Sequence, residues 1–417
     1  AMVRLVLNSW LAVLQVLASR RSFIRDVDAL KRSSTLKDAL DKDRLRAVFG
    51  KLAPYKDGET VKPAYQADGQ KTLLVETDLS AWNNIRMSWE ETVCYAYKSR
   101  RIYRLPTIPQ DPRSDPRVVF GRHLNLFSYY DERSFKMVIP SLLDSDPTPQ
   151  KGLEYPEVSV FEREPKDYTA PNLIYKGGRE HLNLRALGSY AADAHLVPHQ
   201  EYVSLIESAF RVRWDLLDRA MNRLSANGLV PGQYVAIHRR RGDFDGSFHQ
   251  YHPVLLDNVE VARHVAPEIK GKTVLVITDT HDADFLERLK DIARAERVVC
   301  WADEPLTGDD KVYSAQTDML AAVAAKTFIG TPDSTFSWGI VRWRVQSGWH
   351  KIGDPLKFLI PFTPGEEGWN TAGAHGTYLI ELKSWQAMLW NSVPQAAFGS
   401  SNSGAGFYLA EQFGEIV

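Results

Sequence analysis

Tyr234-Val-Ala-Ile-His-Arg-Arg-Arg-Gly-Asp-Phe244 begins as an apolar run and ends as a charge run. Tyr234 to Ile237 has the length and the β-branched and aromatic content of a buried strand. Pro231-Gly232 punctuates the chain just before it. The same unit then recurs. Thr273-Val-Leu-Val-Ile277, Arg297-Val-Val-Cys-Trp301 and Thr327-Phe-Ile329 predict further strands. Helical spacing fills 283–295 and 315–325, and another helix opens at Ser334. Short apolar strands alternating with helices give a mostly parallel, doubly wound sheet, because each crossover helix covers a face of the sheet it leaves.

Toward the amino terminus, Thr72-Leu-Leu-Val-Glu-Thr77 predicts a buried strand, 84–97 a helix, and Arg101-Ile-Tyr-Arg-Leu105 a strand stopped by Pro106. That is one βαβ unit. Residues 106–171 are rich in Pro and Asp and predict long loops and short helices. Leu182-Asn-Leu184 predicts a return to the sheet, and 200–224 a helix. The expected fold class is α/β, two doubly wound domains facing a cleft, with a ligand beyond the carboxyl ends of the strands. The predicted domains are a helical extension over 1–70, a first α/β domain over 71–228 and a second over 229–365. A helical tail over 366–417, with its helix at 378–390, is expected to pack back on the first domain. Near the start, 3–17 reads as an amphipathic helix too short to span a bilayer, and 22–50 as a helical stretch ended by Gly50 and Pro54.

A chain of 417 residues suits two domains better than one core, and 44% apolar with 25% charged residues is the composition of a soluble globular protein. A net charge of -1 gives no support to a broad basic face, so nucleic acid is not an expected partner. Cys94 and Cys300 read as buried thiols, and two cysteines make neither a disulfide framework nor a four-cysteine zinc site. No Asn-x-Ser/Thr sequon occurs. No membrane span is expected, and a monomer is.

The charge run after Ile237 is the segment best able to do chemistry. Guanidinium groups at a strand's carboxyl end can reach a cleft and grip phosphate through paired donors. A departing nucleoside diphosphate gains negative charge, and a fixed Arg stabilises it. The same residues read equally well as a solvated run, with Arg239 simply hydrated and Arg241 paired to Asp243. Gly330-Thr-Pro-Asp-Ser-Thr-Phe336 lies between a strand and a helix. Asp333 or Ser334 can cap that helix in the ordinary way, or its amides can hold an anion. Thr278-Asp279 ends another strand of the same sheet.

His238-x-Arg240-Arg241-x-Asp243 resembles the HxRRxD motif of the α1,6-, α1,2- and protein O-fucosyltransferases, the last group most nearly. Thr317 to Gly330 resembles that superfamily's Asp-bearing helix and following strand, with Asp318 sixteen positions before Ser334. Val276-Ile-Thr-Asp279 resembles the strand before its nucleotide pocket, and Asn84-Ile-Arg86 its Asn-x-Arg segment, with Asn83 the match if the register shifts by one. The resemblance covers residues 72–345 except the Pro-rich middle. It implies a GT-B arrangement of two Rossmann-like domains and an inverting enzyme that needs no metal or other cofactor. GDP-fucose would be the donor, GDP the product, and a protein or glycan hydroxyl the acceptor. Arg240 would be the catalytic residue on the leaving diphosphate. His238, Arg241 and Asp279 would line the donor, and Asp318 would bind its guanine or ribose. Ser334 and Thr335 would hydrogen-bond phosphate, Phe336 would add an amide and a base contact, and Asn83 or Asn84 would complete the site. Eukaryotic members of such a family work in the secretory lumen; a chain outside that group would be cytoplasmic.

Two departures stand out. Ser80, Ala81 and Trp82 replace the glycines before the family's Asn, and Ala81 stands where one branch carries a Glu base. Glu76, Asp78 and Glu90 are the remaining candidate bases. The family's alternative route needs none, because the acceptor proton passes to the leaving phosphate. Three rivals remain: a metal-dependent transferase with Asp282-Ala-Asp284 as its acid pair, a non-catalytic binding homologue, and an enzyme with another nucleotide-sugar donor. Trp82, Trp89, Tyr129 and Tyr130 suit either a sugar- or peptide-contacting wall or an ordinary core.

Overall fold

The computed structural model describes residues 41–69, 71–76, 82–105, 108–109, 123–124, 126–143, 157–158, 170–176, 199–241, 257–302, 304, 313–331, 334–351, 356–359 and 380–382. Contacts divide the chain after Ala47. The described part of the first unit is the helical stretch 41–47, and the second unit carries both large sheets.

In the first sheet, β1 (Thr72–Glu76) leads through α1 (Trp82–Ser99) to its parallel neighbour β2 (Ile102–Leu105). β3 (Ile108–Pro109) and β4 (His123–Leu124) form a small antiparallel pair of their own. α2 (Glu132–Val138) starts at Asp131, whose carboxylate accepts from the Ser134 N–H, and leads into β5 (Ser141–Leu143). With β6 (Glu157–Val158) and β7 (Asn172–Lys176) the order is β5-β2-β1-β7-β6, all parallel. The buried Arg101 guanidinium donates to the carbonyls of Thr72, Ala170 and Pro171, tying together the amino ends of β1 and β7.

After α3 (His199–Ala209) and α4 (Trp214–Ala226) the second sheet begins. Its chain order is β8 (Val235–Arg239), α5 (Asn258–Ile269), β9 (Thr273–Thr278), α6 (Ala283–Asp291) and β10 (Arg297–Cys300), then α7 (Ser314–Val323), β11 (Thr327–Gly330), α8 (Thr335–Ser347), β12 (Leu356–Phe358) and β13 (Ile380–Leu382). The spatial order is β10-β9-β8-β11-β12-β13, parallel up to the last pair. The chain runs outward from β8 through β9 to β10, then returns to β8's other side with β11. That reversal opens a crevice at the carboxyl ends of β8 and β11, where doubly wound sheets take their ligands.

On one face of this sheet Val235, Ile237, Val274, Val276 and Ile329 pack on Val261, Val265 and Ile269 of α5 and on Phe285 and Leu289 of α6. α7 is buried nearly all round, apolar in its second half from Met319 to Val323, and packs on α4 and α8. Its last carbonyls are satisfied by a buried side chain. Arg344 of α8 donates to the carbonyls of Ala322, Val323 and Ala325 at 3.2, 2.8 and 2.6 Å. Burial pulls the Arg344 pKa down to about 10. Gly50, at φ +50, lets the chain pass against α8: a Cβ there would lie 2.4 Å from the Ser347 carbonyl oxygen.

The two separate α/β sheets fit the expected GT-B class, and β8, β9, β10 and β11 fall where their apolar runs predict, while β12 was not read from the sequence. Two expectations need correction. Residues 380–382 are not helical: Ile380–Leu382 pairs antiparallel with β12. A short apolar run cannot be assigned by periodicity alone, and sheet pairing decided this one. A strand the sequence did not predict, β7 at 172–176, lies beside β1; the expected strand at 182–184 lies outside the described residues, as do 3–17 and 22–40. Cys300 is half-buried where a buried thiol was expected, while Cys94 is buried. Among the described residues no helix is long and apolar enough to cross a membrane.

Candidate active site

β8 is buried along its whole length, so its pleat decides where each side chain goes. Val235, Ile237 and Arg239 share one face, and the first two belong to the cluster with α5 and α6. Arg239 continues that face. Its guanidinium carbon lies 4.0 Å over the Phe285 ring of α6, and Nη1 is 3.6 Å from Asp282 Oδ2. At 1% exposure Arg239 is not the solvated residue expected from the charge run. The strand's alternation, which sends it inward among apolar neighbours, is the reason.

Ala236 and His238 take the opposite face, toward α8. His238 Nδ1 lies 2.7 Å from Ser337 Oγ, and its ring sits 4.8 Å from the Phe336 ring. Burial, and then the neighbouring Arg240 charge, push the His238 pKa down to about 3. The ring is therefore neutral near pH 7 and offers a hydrogen bond, not a charge. Ser337 can come this close because residue 330 is glycine. A Cβ at Gly330 would meet Ser337 Cβ and Oγ at 3.0 Å.

Thr331, fully buried, stitches the end of β8 to the start of α8. Its hydroxyl donates to the His238 carbonyl at 2.9 Å and accepts from the Arg240 N–H at 3.3 Å. Its N–H donates to Ser337 Oγ at 2.9 Å, and its carbonyl accepts from the Ser334 N–H at 3.2 Å. Ser334 is the N-cap of α8, yet its side chain makes no capping bond. The hydroxyl is 1% exposed and has no hydrogen-bond partner among the described residues. A buried hydroxyl left so is rare, and it lies where a 13-residue helix presents amide groups and partial positive charge. The half-buried Arg240 follows β8 at the same crevice. Thr335 and Phe336 open α8; the side chain of Thr335 lies outside the described residues, as do Asp333 and Asp243.

Arg241 is held by the neighbouring strand end. Its N–H donates to Asp279 Oδ1 at 2.9 Å, and Nη1 donates to Asp282 Oδ2 at 2.9 Å. Asp282 also caps α6, accepting from the Phe285 N–H at 3.0 Å. Asn258 bridges Asp282 to Asp284 and, ahead of other causes, holds the Asp284 carboxyl below its usual range. Asp282-Ala-Asp284 is thus engaged as the start of a helix and the anchor of an arginine pair. Among the described residues no group of three or more His, Cys, Asp and Glu could hold a metal ion.

Asp318, on α7, accepts from Arg223 Nη1 at 3.1 Å. Arg223 Nη2 reaches Glu304 Oε2 at 2.9 Å, and its guanidinium lies 4.2 Å over Trp301. Asn83 and Asn84 lie in the first turn of α1, with side chains outside the described ones. Glu90 is clamped between Arg86 and Arg342 and is 1% exposed, so it meets no acceptor hydroxyl. Glu76's side chain and Asp78 are outside the described set. Trp89, Tyr129 and Tyr130 are buried and belong to the core, not to a contacting wall. The bonds of Thr331, Ser337 and Arg223 escaped sequence reasoning, and Asp282, read there as one of an acid pair, is the anchor of Arg239 and Arg241. The signal for Ser337 was its place one helical turn after Ser334.

No protein-family model matches the sequence, and no curated protein matches it. Solved structures that resemble the fold include POFUT1 in complex with GDP-fucose, at 12% identity, covering 67% of this chain and 95% of that one, with a TM-score of 0.43. The NodZ α-1,6-fucosyltransferase soaked with GDP-fucose is similar at 14% identity over 75% of this chain and 99% of its own, with a TM-score of 0.46. An Arabidopsis thaliana FUT1 mutant in complex with GDP is similar at 13% identity over 75% and 74%, with a TM-score of 0.44. At these identities and TM-scores, what the site does has to be argued from its own residues.

Proposed function

We propose that the chain is a glycosyltransferase that takes a nucleoside-diphosphate sugar at the crevice between β8 and β11. Following the sequence resemblance, the donor is GDP-fucose and the acceptor a protein or glycan hydroxyl. The observation that carries this reading is the Thr331 junction. It joins the Arg240 backbone to the amino end of α8, beside the buried Ser334 hydroxyl.

In this reading Arg240 and the first amides of α8 face the diphosphate. Both favour the charge that grows as the bond from the sugar's anomeric carbon to the phosphate oxygen breaks. The electron pair stays on that oxygen. The acceptor oxygen forms the new bond on the opposite face of the sugar, which inverts the anomeric centre. The acceptor proton passes to the released diphosphate, so no side-chain base is required. His238 keeps its ring neutral and adds no charge of its own. Asp318, steadied by Arg223, takes the guanine or ribose. Arginine and helix amides supply the positive charge, and no metal is assigned.

The test is a panel of nucleotides and nucleotide sugars, scored by protection against heat unfolding and then by transfer in excess chelator. GDP and GDP-fucose should raise the melting temperature, since a ligand that binds only the folded state stabilises it by mass action. Transfer should be unaffected by chelator. Equal or better protection by UDP would overturn the guanine assignment, and loss of transfer in chelator with rescue by manganese would overturn metal independence.

A further inference from the structure

α1 belongs to the first sheet and α8 to the second, and the two helices pack against each other. Where they meet, Glu90 of α1 accepts from Arg86, one turn earlier on the same helix, and from Arg342 of α8. Arg86, Glu90 and Arg342 are 2%, 1% and 5% exposed. Tyr130 lies close enough that its hydroxyl feels all three charges. Among the described residues, two guanidinium groups share this one carboxylate.

Its place along the helices matters. Asn84 precedes Glu90 by six residues, and Thr335 precedes Arg342 by seven. At a rise of about 1.5 Å per residue, Asn84 lies about 9 Å along its helix from Glu90 and Thr335 about 10.5 Å along its own from Arg342. A tilt of about 6° at the cluster moves either beginning by about 1 Å. One beginning carries Asn83 and Asn84, the other Ser334.

We infer that Glu90 is a positioning residue: gripped by Arg86 and Arg342, it fixes α1 against α8 and so sets the spacing between the two helix beginnings that flank the donor. This rests on the reading that both beginnings serve one donor. A reacting group displaced by about 1 Å can lose about 100-fold in rate.

Arg342→Met is the informative variant. It keeps side-chain volume and leaves Glu90 paired with Arg86. Two measurements are made on the full chain. In the ligand-free protein, amide exchange over 83–86 should speed up about tenfold while the β9 amides keep their protection. In the assay, transfer from GDP-fucose should fall about 100-fold while the GDP dissociation constant stays within about twofold. Arg342→Lys, which keeps the charge, should fall between the two, and it carries the same measurements if the Met variant does not fold. Wild-type exchange over 83–86 in a folded Arg342 variant, or full transfer by it, would overturn the inference. Faster exchange in a protein whose wild type neither binds GDP nor transfers fucose would leave the clamp standing and remove the donor reading.

Discussion

At the seam between α1 and α8, two arginines and one glutamate are sealed together; at the end of β8, three consecutive arginines go to three different environments. In the seam every member faces an opposite charge and none reaches solvent freely. At the strand end, Arg239 and Arg241 both turn to Asp282, one from inside the core and one from the margin. Arg240, between them, stays half-buried, and its N–H is tied to Thr331. The comparison teaches that burial and neighbours, not position within a charge run, decide which environment each arginine takes.

The largest effect is expected at the seam. Glu90→Gln removes the only negative charge in the described cluster and should cost about 3–5 kcal/mol in urea unfolding, as breaking a buried ion pair does. A loss under about 1 kcal/mol would mean that water relieves the two guanidinium groups. Arg239→Ala comes next, at about 2 kcal/mol, because a guanidinium desolvated over an aromatic face is lost with its packing. If Arg239→Ala melts with wild type while Arg240→Ala does not, the division between the neighbours is the reverse of the one argued above.

A pH series sharpens the same contrast. His238 is pushed down to about 3 from an ordinary value of 6.5, so the unfolded chain binds a proton that the folded chain refuses. Stability from this group is complete above about pH 6.5 and is lost as the pH falls toward about 3, by up to about 1.4 kcal/mol per pH unit. His238→Phe should flatten the fall in stability between about pH 6 and about pH 4. An unchanged slope would show that the ring is not sealed. The smallest effect is Ser337→Ala, about 1 kcal/mol, from the Thr331 N–H left without its acceptor.

The second sheet was legible because strands β8 to β11 are apolar runs that alternate with helices opening at Asp282 and Ser334, whereas α5, capped by Asp257, follows a polar stretch and went unread. The first sheet was less so. Asn172-Leu-Ile-Tyr-Lys176 is short and starts and ends with polar residues, and only its register with Thr72–Glu76 makes it a strand next to β1. Ile380–Leu382 fits a helical spacing as well as a strand, and the partner that decides is more than twenty residues upstream. Of the site, His238, Arg240 and the Gly330–Phe336 turn stood out as motifs. The fate of Arg239 did not, although the strand's two-residue alternation already sets it with Val235 and Ile237. Apolar alternation was read only as far as the apolar residues went, while the pleat continues through the first charged ones. Arg342 and Glu90 lie 252 positions apart, and no local pattern announces that they meet.

The most direct measurement is the initial transfer rate of Arg240→Ala with saturating GDP-fucose, beside its melting curve. Arg240 follows β8 at the crevice and is half-buried, not sealed in the core, so the variant should melt close to wild type. Its turnover should fall about 100- to 1000-fold, as when one fixed donor to a developing anion is removed. Arg240→Lys should remain badly impaired, because a point charge cannot reproduce a two-pronged grip. A folded Arg240→Ala protein with near-wild-type turnover would contradict the account and remove Arg240 from the diphosphate.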